Sequence, residues 1–342
     1  MKDNRGRRRR ARGIGVSLLL LVALGTFGAA AASAPTIDEF ALPHTGSGPS
    51  DIVAGPDGNL WFTEEEYGNR IGRISPSGEI TEFSLPFSGS FPRGIALGSD
   101  GNLWFTELVG KIGRITPSGA IREFPISAGK SEPVEIAAGA DGNLWFTEYY
   151  NRIGRITTTG AVTLFNVPTL SSSPRFLTVG PDLNIWFTEN AADRIGCIDP
   201  RGAMIEFPLA KGTGPLGIAN GPDGYLWFTE FTANAIGRMN VAGTVTEFPI
   251  PTLNSGASQI ATGPDGNLWF TEMNANRIAR ITPEGQITEF AVPTLRSGVF
   301  GIAAGPDRNI WFTEFSISKI GRLTVAPPAH RRARTVPFRP SS

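Results

Sequence analysis

The sequence predicts an all-β fold: a seven-bladed β-propeller with four antiparallel strands per blade, its last blade closed by the N-terminal strand. Three observations carry that prediction. All seven Trp (Trp61, Trp104, Trp145, Trp186, Trp227, Trp269 and Trp311) are followed by Phe-Thr-Glu and recur every 41 to 43 residues, a period that marks a repeat architecture built from one supersecondary unit. Each unit divides into four short apolar runs separated by turn formers, and no helical periodicity follows Ala34, which describes antiparallel sheet throughout. The fourth-strand signature follows a Trp only six times, from Ile80-Thr81-Glu82-Phe83 to Ile287-Thr288-Glu289-Phe290, while a seventh copy, Ile37-Asp38-Glu39-Phe40, precedes the first Trp. A displaced strand of this kind completes the last blade and removes the free edges of an open array.

In chain order, residues 1–34 read as a signal peptide. Lys2, Arg5, Arg7, Arg8, Arg9, Arg10 and Arg12 precede an apolar stretch from Ile14 to Ala32, and small residues end at Ala34; these are the three regions of a secretory leader. Export by this route is expected, with an uncleaved membrane anchor as the alternative because the stretch is nearly long enough to span a bilayer. Residues 35–325 form the propeller. In the unit from 92 to 126, Ile95-Ala96-Leu97 is the first strand and Ser99-Asp100-Gly101-Asn102 a tight turn that accepts positive φ. Leu103 to Glu107 is the second strand, Ile112 to Ile115 the third, and Pro117-Ser118-Gly119 turns the chain into the fourth, Ile121 to Phe124. The 42 Gly and 27 Pro are the turn chemistry of this ring. Residues 326–342, with Arg331, Arg332, Arg334 and Arg339 among four prolines, read as a disordered basic tail.

The formal charge of zero averages unlike segments: without the leader and the tail, the propeller carries 20 basic and 30 acidic side chains. An acidic body repels phosphate backbones, so nucleic acid is not an expected partner. Cys197 is the one Cys, and His44 and His330 are the two His, which excludes a disulfide framework and any Cys-based or His-rich metal site.

Most repeated residues read as scaffold. The motif Glu (Glu64, Glu107, Glu148, Glu189, Glu230, Glu272 and Glu314) invites a carboxylate ring around a cation, but the next strand repeats Arg73, Arg114, Arg155, Arg238, Arg280 and Arg322, with Cys197 in unit four. The expectation is a cross-strand charge ladder. The Trp and Phe are expected to pack between blades. Pro-Asp-Gly lacks the spaced carboxylates of a calcium loop and reads as a turn.

Function is expected where the units differ. The loops between strands two and three and the inter-blade connections share one face and vary from unit to unit. The candidate ligand residues there are Arg93, Glu132, Glu135, Tyr149, Tyr150, Arg175, Phe231, Phe300 and Phe315, an aromatic surface with a few charges around a channel mouth.

The units written Gly-Pro-Asp-Gly-Asn-Leu-Trp-Phe-Thr-Glu, Asn-Arg-Ile-Gly-Arg-Ile and Ile-Thr-Glu-Phe resemble those of the virginiamycin B lyase (streptogramin B lyase) family over about residues 36–325. The resemblance implies a seven-bladed propeller and a magnesium-dependent elimination that opens the ester of a cyclic depsipeptide antibiotic. In it a carboxylate-held metal polarises the ester and a His serves as general base or acid. The family's His residues, within Pro-His-(Ala/Gly)-Ile of the last two blades, carry over to Ser258 and Phe300, and its metal carboxylates to Gly298 and Phe315. The equivalents in the other blades are Ser50, Arg93, Val134, Arg175 and Leu216, so no shift of blade register restores a His. Glu65 and Glu132 fall at carboxylate-equivalent positions, but in different blades, and neither His44 nor His330 is placed to substitute.

The expectation is an exported binding module, monomeric, taking a small molecule or peptide on its variable face, with no evident cofactor and no stable membrane insertion after cleavage. Three alternatives stay open. One is the family's carbon–oxygen lyase, for which alone Mg2+ is implied. Another is a lyase or hydrolase built on Glu132 and Glu135 beside Arg93 and Arg175, and the last a structural component of an envelope assembly.

Overall fold

Each repeat is organised by the Asp of the turn before its Trp strand, within Pro-Asp-Gly in three units and a variant of it in the other four. In the first, Asp57 Oδ2 accepts from Asn59 Nδ2 at 2.8 Å and Oδ1 accepts from the Trp61 indole Nε1 at 3.0 Å. The same Asp–Trp bond recurs in all seven units at 2.8–3.1 Å. It satisfies the one polar atom of an indole that is otherwise fully buried. The turn residue thus fixes the core residue four positions on. Each indole also stacks on the fourth-strand Phe of its own blade, ring centres 5.3–5.7 Å apart. The motif Phe lies against a third-strand Gly in six blades and against Ala279 in the other: a Cβ on Gly72 would sit 2.1 Å from the Phe62 ring.

The computed structural model of the chain describes residues 35–126 and 130–325; the expected signal peptide and basic tail lie outside them. Among the described residues, twenty-eight strands form seven four-stranded antiparallel sheets. In the first blade these are Pro49–Ala54, Leu60–Glu64, Arg70–Ile74 and Ile80–Ser84, in spatial order. The first strand of each blade is innermost and touches its counterparts in both neighbouring blades. The seventh blade consists of Val299–Ala304, Ile310–Glu314 and Lys319–Leu323, with Ile37–Ala41 as its outermost strand. That closing strand pairs Asp38 opposite Arg322, reinforced by an Asp38–Arg322 ion pair at 2.6 Å and a Glu39–Lys319 pair at 2.8 Å. Phe40 stacks on Trp311 as the other fourth-strand Phe residues do on theirs.

The hydrophobic core lies between blades: Trp61 packs with Leu103 and Phe105 of the next blade, and Trp311 with Leu60 and Phe62 across the closure. A ring of hydroxyls joins the same blades nearer the axis. The motif Thr accepts from the backbone N–H of the third residue of its own innermost strand at 2.7–3.1 Å. The same hydroxyl donates to the backbone carbonyl of the second residue of the next innermost strand at 2.6–3.0 Å. From Thr63 on Arg93 to Thr313 on Ser50, this bridge is complete around the ring.

The charge ladder takes a different register from the one expected. Arg73 stands opposite Trp61, not Glu64, and Glu64 stands opposite Arg70. The repeated Arg packs over the Trp and Phe rings and reaches the turn Asp instead: Arg73 lies 5.4 Å from the Trp61 ring centre and 3.5 Å from Asp57 Oδ2. The cause is the two-residue period of a strand, which puts Trp and Glu, three apart, on opposite faces.

The motif Glu side chains are fully buried. Burial, with the charge of a fourth-strand Glu added, pushes Glu189 up to about 7 and Glu272 to about 8, through Glu206 and Glu289 respectively. Burial also raises Glu230 to about 7; Ala235 stands opposite it, and neither of its carboxyl oxygens has a hydrogen-bond partner. Blade three is the exception, since Leu164 replaces the fourth-strand Glu and Arg152 lies 2.5 Å from Glu148.

Two expected outcomes follow. Thr229→Val leaves the Gly217 N–H and the Ser258 carbonyl unpaired, which costs about 1–3 kcal/mol; calorimetry reads this as a lower Tm, and an unchanged Tm would refute the bridge. The second concerns pH. A buried Glu that holds its proton to about 7, against an ordinary value of 4.5, stabilises the fold at low pH and loses that contribution as pH rises through 7. The turn Asp residues act oppositely: burial works to raise Asp57, but hydrogen bonds from Asn59 and Trp61 outweigh it and hold it below 3.8, so their contribution disappears as pH falls through that range. Tm should therefore peak in mildly acidic solution and fall toward about pH 8, and Glu272→Gln, which mimics the protonated acid, should flatten the alkaline limb. A Tm that climbs steadily to pH 8 would exclude protonated motif glutamates.

Candidate functional site

The pairing of each innermost strand with the second strand breaks register between its first and fourth residues. This β-bulge leaves the second and third residues without ladder partners, and the Thr bridge holds their backbone. The two side chains then serve different spaces: the second residues Ser50, Arg93, Arg175 and Phe300 line the loop face, and the third residues Asp51, Glu135, Phe176 and Gln259 line the channel.

The third residues are Asp51, Gly94, Glu135, Phe176, Gly217, Gln259 and Gly301. Asp51 Oδ2 accepts from Ile95 N at 2.9 Å and Oδ1 from Gln259 Nε2 at 2.8 Å, while Gln259 Oε1 accepts from Ile302 N at 2.7 Å. Glu135 joins from blade three, bonded to Asp51. Burial raises both carboxyls, and the charge of Asp51 adds to the rise at Glu135, which is held well above 4.5. Small neighbours make room for the network: a Cβ on Gly94 would fall 2.6 Å from Glu135 Oε1. These residues line one end of an apolar channel cavity of about 330 Å3. Glu135 is therefore corrected: it belongs to the channel, not to the variable face.

On the loop face, Ser50, Glu65, Arg93, Gly298, Phe300 and Phe315 converge on a pocket of about 200 Å3, completed by Met273 and Ser316. The second and seventh blades meet across it, so sequence candidates more than 200 residues apart become neighbours. Glu65 Oε1 lies 3.9 Å from Arg93 Nη1. Tyr149, Tyr150 and Arg175 line a second, wider recess of about 670 Å3 with Leu170 and Asn190. Tyr150 donates its hydroxyl to Glu132 Oε1 at 2.9 Å, and this bond raises the phenol pKa. Phe231 lies in the loop after its motif Glu and lines neither space. His44 is exposed and bonds Glu82 of an outer strand at 2.6 Å; His330 lies outside the described residues. The motif Thr is the residue sequence reasoning passed over, although its presence in every copy was a signal for it.

The donors on this face do not fit magnesium, which takes near-octahedral oxygen ligands, usually with carboxylates among them. The pocket offers one carboxylate, Glu65, and that one faces a guanidinium. Among the described residues no group of three His, Cys, Asp or Glu could hold a metal. Cys197 is buried, and burial with nearby acids pushes its thiol up to about 12, so it is an inert packing residue.

The model of the virginiamycin B lyase family matches residues 29–199 and 150–330. Among solved structures, virginiamycin B lyase from Staphylococcus aureus aligns with a TM-score of 0.81 at 39% identity, covering 85% of this chain and 100% of that one. A streptogramin B lyase aligns with the same TM-score at 37% identity, covering 85% and 97%. A catalytically inactive His-to-Ala form of the Staphylococcus aureus enzyme, solved with quinupristin, aligns at 39% identity with 85% and 100% coverage. No curated protein matches the chain. With the family model spanning all seven blades and the closing strand, this chain belongs to the virginiamycin B lyase family.

Proposed function

We propose that this propeller is an exported ligand-binding module whose site is the loop-face pocket between blades one, two and seven, and that it does not perform the elimination of its family. One observation carries the reading. The positions to which the family's catalytic and metal-holding residues carry over hold Phe300, Gly298 and Phe315 around that pocket, none of which can give or take a proton or ligate a cation. The fourth position is Ser258, a fully buried hydroxyl that donates to the Gly256 carbonyl at 3.0 Å.

What remains is a concave surface with apolar walls, a guanidinium and a few hydroxyls, the composition of a recognition site. Glu132 and Glu135 make a weak case for a replacement catalytic pair, since one is bonded to Tyr150 on the loop face and the other is buried on the channel beside Asp51. The family's own activity is the second reading, favoured by 37–39% identity over the full length of the lyases.

Incubation of the purified protein with a streptogramin B depsipeptide and magnesium separates the two. An elimination opens the ring without changing mass, so chromatography coupled to mass spectrometry reads it as a new isomer. No ring-opened isomer above the buffer control is expected. Efficient turnover would overturn the binding-module reading and restore the lyase.

A further inference from the structure

The loop face carries two guanidinium groups, one of which, Arg175, has no ion-pair partner among the described residues. Arg93 and Arg175 are both second residues of innermost strands, in blades two and four, and blade three places Val134 between them. Their carbonyls are gripped by Thr63 and Thr147, each at 2.6 Å, so the backbone beneath both side chains is fixed. Burial lowers the Arg175 pKa and the charge of Arg93 lowers it further.

The neighbouring carboxylates are committed elsewhere. Glu132 takes the Tyr150 hydroxyl, Glu135 turns into the channel toward Asp51, and Glu65 reaches only Arg93, at 3.9 Å. Among the described residues no carboxylate lies within ion-pair distance of Arg175. Its guanidinium is instead seated over the Tyr149 ring, 5.1 Å from the ring centre, and Tyr149 packs edge-on against Tyr150. Stacking of this kind orients the guanidinium fork before any ligand arrives. Beside the pair lies an apolar wall, with Phe300 against Phe176 at 6.2 Å and Phe315 in the same pocket as Arg93.

We propose that Arg93, in that pocket, and Arg175, in the second recess of the same face, form the anion-holding part of the loop face, and that its ligand is a monocarboxylate with an apolar body. This rests on the reading of the loop-face pocket as a ligand site. A planar carboxylate matches a guanidinium fork with two parallel N–H···O bonds, and its single charge is balanced by a cation that lacks a partner. The apolar body would lie on Phe300 and Phe315. A phosphate monoester brings nearly two charges toward Glu65 and Glu132 on an acidic propeller and is the poorer match.

The test is titration of the full chain with 3-phenylpropionate, 3-phenylpropionamide and phenyl phosphate, followed by calorimetry and ligand-observed NMR. The acid is expected to saturate and to bind about tenfold or more tightly than the amide. Arg175→Gln should abolish that preference and Arg175→Lys restore part of it. Phe300→Ala should weaken acid and amide alike. Equal binding of acid and amide overturns this inference while leaving the pocket a ligand site, and tighter binding of phenyl phosphate overturns the carboxylate assignment. Failure of both acid and amide to saturate overturns it too, as does an acid preference that survives Arg175→Gln. Turnover of the depsipeptide would remove the non-catalytic reading without touching these outcomes.

Discussion

The structure depends on one hydroxyl repeated seven times. Each motif Thr takes a hydrogen bond from its own blade and gives one to the next, so a single buried oxygen satisfies two backbone groups that a β-bulge has left without ladder partners. Apolar packing between blades supplies most of the burial, but it is non-directional. The Thr bridge is directional, and it sets the rotation of each blade relative to its neighbour. It also fixes which way the two bulged residues point, one toward the loop face and the next into the channel. The loop-face pocket and the Asp51–Gln259 hydrogen-bond network are both consequences of that fixed backbone.

The fold was legible because its determinants are local and repeated. Trp spacing, turn residues and the displaced strand at Ile37–Ala41 each state the same ring, and the structure agrees on every blade. The charge pairing was not legible in the same way. Arg73 and Glu64 sit on adjacent strands with opposite charge, yet the pleat sends them to different faces, and Arg73 settles on Trp61 and Asp57. Glu64 stands opposite Arg70 and also feels the charge of a second acid, Glu82, two strands further out, which a search for opposite charges passes over.

The site was partly legible. Arg93, Phe300 and Phe315 share a pocket, and Tyr149, Tyr150 and Arg175 share another, because variable residues at equivalent unit positions fall on one face of any closed propeller. Glu135 was misplaced by a single residue of register: Val134 before it takes the outward position, and the bulge turns Glu135 inward to Asp51. Nothing in a strand-like run such as Pro-Val-Glu-Ile announces the bulge. The irregularity appears only once the strand is paired with Leu144–Glu148.

The same bridge explains how so regular a scaffold can hold so irregular a site. At the second position the ring uses the backbone carbonyl and makes no demand on the side chain, so Ser50, Arg93, Val134, Arg175, Leu216, Ser258 and Phe300 can differ there without disturbing a single Thr bond. One position further the constraint reverses, because the channel axis is crowded. Three of seven residues are Gly, and the polar ones must satisfy one another across blades. Change at the mouth is therefore cheap in stability and change in the channel is not. A propeller of this construction can vary the side chains at its mouth from serine to arginine to phenylalanine while its ring stays closed.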